Sequence, residues 1–336
     1  MFSEVRTPVM LYAITSYFNP CGYRKRRENY ATFREHLSVP LITVELGFEG
    51  RFDLGPDDAE VYVPLGDGDI MFQKERLLNI AAAHLPADCT AVAWLDCDIV
   101  FSDDTWAEQT LAELQTHPVV QPFATLHQLE EFSPVDVDLA RETLPTHESI
   151  PHWLATDRHF HQTGLIETDS WLVPAYMRSA FRTGIAWAAR RDFFDRVGLY
   201  DACIVGSGDM AFASALYGCP DVAVRLYQMT PEFEDHYRRW YDRLQQEFPL
   251  TVSGLSTTVL QLWHGRYENR RYRQRHERFT EFGFCPQHDL TAGSDGAWRW
   301  SNPQSAVARF TRDYFFSRQE DGTPLSEEHA SAAVPD

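Results

Sequence analysis

The sequence AVAWLDCDIVFS, residues 91–102, places two carboxylates between two apolar runs. The runs are short and rich in apolar and β-branched residues, which is typical of a buried strand. Carboxylates in such a strand need compensation, and a divalent cation would supply it, because carboxylate oxygens suit Mg²⁺ and Mn²⁺. Since strand side chains alternate between faces, we expect Asp96 and Asp98 to point the same way and Cys97 the other. The tripeptide therefore predicts a metal and diphosphate site, and a turn with helix-capping acids is the alternative.

The composition describes an acidic chain with enough apolar residues for a core. It has 336 residues, of which 44% are hydrophobic, and a net charge of -19. This charge argues against binding nucleic acid by bulk electrostatics, although a local basic patch would still allow it. No apolar run reaches about eighteen residues, so we expect no membrane span. Six scattered cysteines without a CxxC pattern indicate reduced thiols and a cytoplasmic protein.

Strands and helices alternate in the first part of the chain. Strands are predicted at residues 9–16, 41–46 and 91–101, with helices at 23–37 and 72–84. This alternation predicts an α/β fold with a mostly parallel sheet. Ligands of such sheets bind at the carboxyl ends of strands, where the Asp-x-Asp motif lies.

The composition of the later segments predicts the domain organisation of the chain. Residues 1–290 are predicted to form the main domain, in which 127–171, rich in Glu, His, Pro and Thr, is an insertion in preference to a mobile lid. The pair His159 and His161 in it is interpreted as solvated. Residues 291–317 carry aromatic residues and are predicted to pack. Residues 318–336 are predicted to be a disordered tail.

Two further motifs carry chemistry. GSGD, residues 206–209, stands where a helix begins, so its backbone can approach a ligand and Asp209 can deprotonate a hydroxyl. An ordinary helix cap is the alternative for Asp209. A strand ending at His264 is followed by the basic segment 266–278, for which we prefer a phosphate-facing role over a solvated helix face.

Four stretches in this order resemble a known family: QKERLLNIA, WLDCDIVF, TGIAWAARRDFFDRVGLYDACIVGSGDMAFASAL and LWHG. Together they resemble the nucleotide-sugar glycosyltransferases of the GT-A fold. The nearest group is that of the β-1,4-galactosyltransferases and polypeptide N-acetylgalactosaminyltransferases. The resemblance covers residues 9–275, except 127–171. It implies a Rossmann-like fold with a central mixed, mostly parallel sheet flanked by helices.

The resemblance also implies roles for individual residues. Asp98 and His264 would bind Mn²⁺ or Mg²⁺, Asp96 would lie near the metal or the donor ribose, and Asp209 would be the catalytic base. The family usually has Glu before this Asp, where this chain has Gly208. The remaining implied contacts are with the base, sugar and diphosphate of the donor and comprise Thr15, Tyr17, Asn19, Lys74, Arg76, Gly184, Trp187, Arg266 and Arg270.

The predicted function is the metal-dependent transfer of a sugar from a nucleotide-diphosphate sugar, with UDP favoured, to an acceptor hydroxyl. Asp209 as base gives inversion, whereas a positioning role leaves retention open. The acceptor is a saccharide or small molecule, or hydroxymethylated pyrimidine in DNA, whose backbone the basic segments 24–27 and 266–278 would follow. A nucleotidyltransferase and an inactive nucleotide-sugar binding module are the alternatives, but residues 15–22 do not form the Gly-rich loop of the former.

Overall fold

Two sheets organise the computed structural model, which describes residues 10–156, 181–248, 251–272 and 274–322. Among the helices of these residues, none combines the length and apolar character needed to cross a membrane. The strands are β1 Met10–Phe18, β2 Leu41–Leu46, β3 Val61–Leu65, β4 Cys89–Leu95, β5 Ile99–Phe101, β6 Val119–Gln121, β7 Thr125–Gln128, β8 Thr146–Ser149, β9 Phe181–Arg182, β10 Ala186–Arg190, β11 Val252–Gly254, β12 Thr258–Gln261, β13 Leu290–Ala292 and β14 Trp298–Trp300. The helices are α1 Arg24–Glu35, α2 Lys74–Ala82, α3 Trp106–Glu113, α4 Val137–Thr143, α5 Ile150–Thr156, α6 Asp192–Arg196, α7 Gly208–Leu216, α8 Pro220–Leu226, α9 Pro231–Glu247, α10 Gln274–Thr280, α11 Pro286–Asp289 and α12 Ala306–Ser317.

The central sheet has the strand order β11-β6-β10-β4-β1-β2-β3. Its pairs are parallel except those of β10, which runs antiparallel to both β4 and β6. The predicted α/β fold with a mixed, mostly parallel sheet flanked by helices is confirmed.

Both faces of the central sheet are covered, which explains why its strands are apolar runs and not alternating patterns. Ile14 and Trp94 pack on one face with residues of α2 and α7. Ala13 and Leu95 belong to the core on the other face, where α1 and α3 contribute.

The Asp-x-Asp tripeptide is not part of a strand, contrary to the prediction. β4 ends at Leu95 and β5 begins at Ile99, and residues 96–98 form a turn between them. The two strands belong to different sheets, because β5 pairs with β12 in a second sheet of order β5-β12-β7-β8-β9. The alternation of strand faces therefore does not set the directions of Asp96 and Asp98. The turn joins the two sheets at the place where a ligand cavity opens.

The segment predicted to be an insertion supplies strands to the second sheet. β7 pairs in parallel with β12, and β8 pairs with both β7 and β9. The part of 127–171 up to Thr156 is thus integral to the fold, and residues 157–171, including His159 and His161, lie outside the described residues.

The first residues of the predicted tail pack against α1, so the disorder prediction is wrong for residues 318–322. The carboxylate of Asp321 accepts the backbone N–H groups of Arg24 and Lys25 at 3.0 and 2.8 Å. The Tyr23 hydroxyl lies 3.1 Å from the carbonyl oxygen of Phe315 and donates to it. Residues 323–336 lie outside the described residues. A carboxylate at this position satisfies N–H groups that a helix leaves unpaired at its start.

Replacing Asp321 with Ala should lower the free energy of unfolding by about 1 kcal/mol, the usual effect of losing a helix cap. Urea denaturation followed by circular dichroism measures the change. Asp88→Ala is the control, because Asp88 is exposed and makes no hydrogen bond within the described chain. Equal stability of the Asp321→Ala variant and the wild type would show that the C-terminal segment does not cap α1.

Candidate active site

A cavity of about 700 Å³ opens at the carboxyl ends of β1 and β4. We call it the central cavity. Its wall combines the Asp-x-Asp turn, the loop before β10, the start of α7 and the segments after β12 and α12. Its lining includes these polar residues: Lys74, Asp96, Asp98, Ser207, Asp209, His264, Arg26, Arg270, Arg275, Arg318 and Glu320.

Lys74 joins the two acidic motifs of the sequence. Its Nζ lies 2.5 Å from Asp96 Oδ1 and 2.8 Å from Asp209 Oδ1. Burial by itself would lower the pKa of Lys74, but the charges of Asp209 and Asp96 outweigh burial and raise this pKa well above its usual value. Lys74 is therefore a permanent cation that compensates both carboxylates. The sequence analysis predicts a contact of Lys74 with the donor. In the structure Lys74 lies between Asp96 and Asp209.

The loop before β10 is shaped around the same carboxylates. Ile185 donates its N–H to Asp96 Oδ2 at 3.2 Å and accepts the N–H of Asp96 at 2.9 Å. It does so at φ 80°, a conformation that costs a β-branched residue roughly 1–3 kcal/mol. At Gly184, an added Cβ would lie 2.5 Å from Asp209 Oδ2, so the glycine permits the close approach of that carboxylate.

Asp98 and His264 form a pair that faces the cavity. Asp98 Oδ1 is buried and has no hydrogen-bond partner among the described residues, and Oδ2 lies 3.6 Å from His264 Nδ1. His264 Nδ1 is also 3.0 Å from the Leu262 carbonyl oxygen, so we assign its proton to Nδ1, which leaves the lone pair on Nε2. Burial, with Arg270 nearby, lowers the pKa of His264 to about 3, so the ring is neutral at physiological pH. Burial, with the charge of Asp96, raises the pKa of Asp98 to about 7.

These two side chains fit a hard divalent cation only in part. An unpartnered carboxylate oxygen and a neutral imidazole are suitable ligands. Within the described ranges, however, no group of three or more His, Cys, Asp or Glu side chains is arranged to hold a metal ion. Asp96 does not complete such a group, since Lys74 and Ile185 occupy its carboxylate. A site of this kind suits an ion that is bound through one or two protein ligands and completes its coordination with water and substrate phosphates.

Three arginines surround one glutamate beside His264 in the lining of the central cavity. We call Arg26, Arg270, Arg318 and Glu320 the arginine cluster. Glu320 Oε1 lies 3.0 Å from Arg26 Nη2, 3.2 Å from Arg270 Nη1 and 2.8 Å from Arg318 Nε, and its side chain is 2% exposed. Arg270 Nε and Arg318 Nη1 are buried, and in the part of the chain that the structure describes they have no hydrogen-bond partner. An excess of buried positive charge with unused N–H groups favours an anionic ligand.

Sequence reasoning missed most of this cluster. Arg318 and Glu320 lie in the segment assigned to a disordered tail, and no local pattern connects them with Arg26, 294 positions before Glu320. Of the four residues, only Arg270 was predicted to contact the donor.

Glu75 is a second residue that the sequence did not single out. It is 5% exposed, and a Cβ added to Gly208 would lie 2.2 Å from its carboxyl carbon. Gly208, directly before Asp209, therefore makes room for a carboxyl group that comes from α2. Burial raises the pKa of Glu75 to about 8, and the charge of Asp209 adds to this effect.

The other predicted donor contacts fall into two groups. Tyr17, Lys74, Gly184 and Arg270 line the central cavity, although the Tyr17 hydroxyl donates to Asp53. The others do not line it. Thr15 donates to the Leu95 carbonyl, Asn19 donates to Asp53, and Arg76 pairs with Asp201. Trp187 is buried and donates to the Thr183 carbonyl, and Arg266 is exposed. The expectation that these five contact the donor is not supported by their positions.

The basic run at residues 24–27 does not form a free cationic face. Arg24 pairs with Glu28, Arg26 with Glu320 and Arg27 with Asp58. Lys25 Nζ lies 3.6 Å from Glu28. One of the two basic segments predicted to follow a DNA backbone is thus neutralised within the protein.

Comparisons with known proteins give distant structural likenesses only. No family model matches the chain, and no curated protein does. A mannosyltransferase from Pyrobaculum calidifontis in complex with GDP-Man and Mn²⁺ has a TM-score of 0.40 at 12% identity, over 98% of this chain and 78% of that one. A Drosophila β-1,4-galactosyltransferase 7 variant with manganese, UDP-Gal and xylobiose has a TM-score of 0.30 at 11% identity, over 98% and 81%. A putative glucose-1-phosphate thymidylyltransferase from Bacillus anthracis has a TM-score of 0.33 at 8% identity, over 74% and 88%. Likenesses this distant do not separate these activities, so the function has to follow from the site.

Replacing Glu75 with Gln should stabilise the protein in a pH-dependent way. The pKa of Glu75 is about 8 in the folded chain against a usual value of 4.5, so the unfolded chain releases this proton at lower pH. The group therefore favours folding below pH 4.5, and this contribution is lost as the pH rises to about 8. Gln does not ionise, so its advantage over Glu should grow across this window, to on the order of 5 kcal/mol at its upper end.

Urea denaturation at a series of pH values measures this difference. The exposed Glu142→Gln variant is the control over the same range. A Glu75→Gln effect that does not change with pH would mean that Glu75 is not held protonated beside Asp209.

Proposed function

We propose that the protein is a metal-dependent glycosyltransferase that moves a sugar from a nucleotide-diphosphate sugar to an acceptor hydroxyl. One observation carries the proposal: the unpartnered oxygen of Asp98, the neutral His264 and the unused N–H groups of the arginine cluster line the same cavity. A diphosphate is a good leaving group only when its charge is neutralised. Cationic groups placed where that charge develops supply the required stabilisation.

The diphosphate would lie between the Asp98–His264 pair and the arginine cluster. Asp98 and His264 Nε2 would hold a divalent cation, which would neutralise charge on the leaving diphosphate. Arg270 and Arg318 would donate their unused N–H groups to the phosphate oxygens, a bonding mode in which arginine is effective. Glu320 keeps the three guanidinium groups together and so fixes their directions before the donor binds.

Asp209 would be the general base. The acceptor hydroxyl gives its proton to the carboxylate, its oxygen forms a bond to the anomeric carbon, and the bond from that carbon to the diphosphate breaks. Direct attack of this kind inverts the anomeric configuration. Lys74 holds Asp209 in place through their ion pair. A UDP-sugar is the favoured donor, and the proposed acceptor is a saccharide or another small molecule, since the basic run of α1 is paired internally.

Thermal shift and donor hydrolysis with UDP-, GDP- and CDP-sugars test the proposal, each with Mn²⁺, Mg²⁺ or EDTA. One nucleotide should stabilise the wild type only with metal, and Asp98→Ala should lose this effect because it removes the free carboxylate oxygen. Asp209→Asn should still bind the nucleotide but lose at least about 10²-fold in transfer rate, the usual effect of losing a general base.

Asp88→Ala is the matched control, since it removes a carboxylate that is exposed to solvent and does not line the central cavity. Absence of any metal-dependent nucleotide effect in the wild type would contradict the glycosyltransferase assignment. Release of pyrophosphate from a nucleoside triphosphate and a sugar phosphate would favour a nucleotidyltransferase instead.

A further inference from the structure

A second pocket, of about 300 Å³, lies beside the central cavity between α10 and α12. Its lining contains Arg271, Arg275, Arg278 and Arg309, against the single carboxylate of Asp313. We call it the arginine pocket. Its volume is at the lower end of the range for small-molecule sites, which is too small for a macromolecule to enter as a whole.

Neutral groups of the protein hold two guanidinium groups of the arginine pocket in place. Arg278 lies over the Phe310 ring, 5.5 Å from its centroid, and Arg309 donates to the carbonyl of Gln304. Within the described part of the chain, Arg271, Arg278 and Arg309 make no ion pair with a carboxylate. This is unusual in a protein that carries 49 acidic residues and only 30 Lys and Arg. Positioned arginines with unmatched charge favour a ligand with several anionic oxygens.

The arginine pocket adjoins the central cavity near Ser207. Arg271 and Arg275 line both. Arg275 Nη1 donates to the Tyr314 hydroxyl at 2.7 Å, and its Nη2 donates to the hydroxyl of Ser207, two residues before Asp209. A ligand with a hydroxyl at Asp209 can therefore extend past Ser207 into the arginine pocket.

We propose that the arginine pocket binds the phosphate group of a small phosphorylated acceptor. This inference rests on the proposed function only in identifying the ligand as the acceptor. A phosphate suits the pocket because its oxygens can accept from several guanidinium groups at once. A nucleic acid suits it less, because a net charge of -19 repels a polyanion and the other basic segment, in α1, is paired internally.

Binding of inorganic phosphate to the full chain, measured by isothermal titration, tests the site itself. Arg278→Gln and Arg309→Gln should each weaken binding about 10-fold or more, because each removes hydrogen bonds to a charged group. Arg51→Gln, which changes an exposed arginine outside both cavities, should bind like the wild type. Saturating UDP with Mn²⁺ should leave phosphate binding in place.

The site would be overturned if phosphate showed no saturable binding, or if the double variant Arg278→Gln/Arg309→Gln bound phosphate as well as the wild type. Displacement of phosphate by UDP with Mn²⁺ would also overturn it, because the phosphate would then occupy the donor site. If UDP fails to bind while the phosphate results hold, the donor assignment fails and the arginine pocket stands.

The acceptor role is tested by comparing a hexose with its 6-phosphate as acceptors, with the nucleotide sugar that the thermal-shift panel identifies as donor. The double variant Arg278→Gln/Arg309→Gln should lower kcat/KM at least about 10-fold for the phosphorylated acceptor and leave the unphosphorylated one unchanged. An equal loss for both acceptors, or a preference for the plain hexose in the wild type, would contradict the proposal. Displacement of phosphate by a single-stranded oligonucleotide at lower concentration than by the hexose 6-phosphate would identify a nucleic acid as the ligand and overturn the small acceptor.

Discussion

The contact of Lys74 with Asp96 and Asp209 is the interaction on which the central cavity depends. It connects α2 with the turn after β4 and with the start of α7, three elements that are far apart along the chain. Two carboxylates this close repel each other, and burial raises the cost of their charges. One buried cation compensates both, and Glu75 remains next to them because burial raises its pKa to about 8. Lys74 therefore holds the two carboxylates that contact the backbone of residues 184–185.

Charge is divided between two walls of the central cavity. The wall near α2 holds two carboxyl groups, those of Asp96 and Asp209, with one lysine, whereas the wall beside His264 holds three arginines with one glutamate. Asp98 and His264 stand between the two walls. This division orients a ligand in which a negative group adjoins a neutral one, since the negative group is favoured beside the arginines. The diphosphate and the sugar of a nucleotide-diphosphate sugar are such a pair of groups.

The C-terminal segment is part of the site and not an appendage to it. Asp321 caps α1, and the adjacent Glu320 holds the guanidinium groups of Arg26 and Arg270. α12 also contributes Arg309 and Tyr314 to the arginine pocket. The same stretch of chain therefore stabilises the fold and supplies the positive charge of both cavities.

The sequence by itself determined the central sheet and four residues of the cavity: Asp96, Asp98, Asp209 and His264. Apolar runs and turn residues are local signals, so they reveal the strands and the polar residues at their ends. Only the tertiary structure decided that residues 96–98 form a turn between two sheets, because β5 pairs with β12 and so belongs to a different sheet from β4. It also decided that Thr15, Asn19, Arg76, Trp187 and Arg266 do not line the cavity, and that Glu75, Arg318 and Glu320 do belong to its surroundings. These outcomes depend on contacts between residues up to about 300 positions apart, such as Arg26 with Glu320, and such contacts leave no pattern in the local sequence.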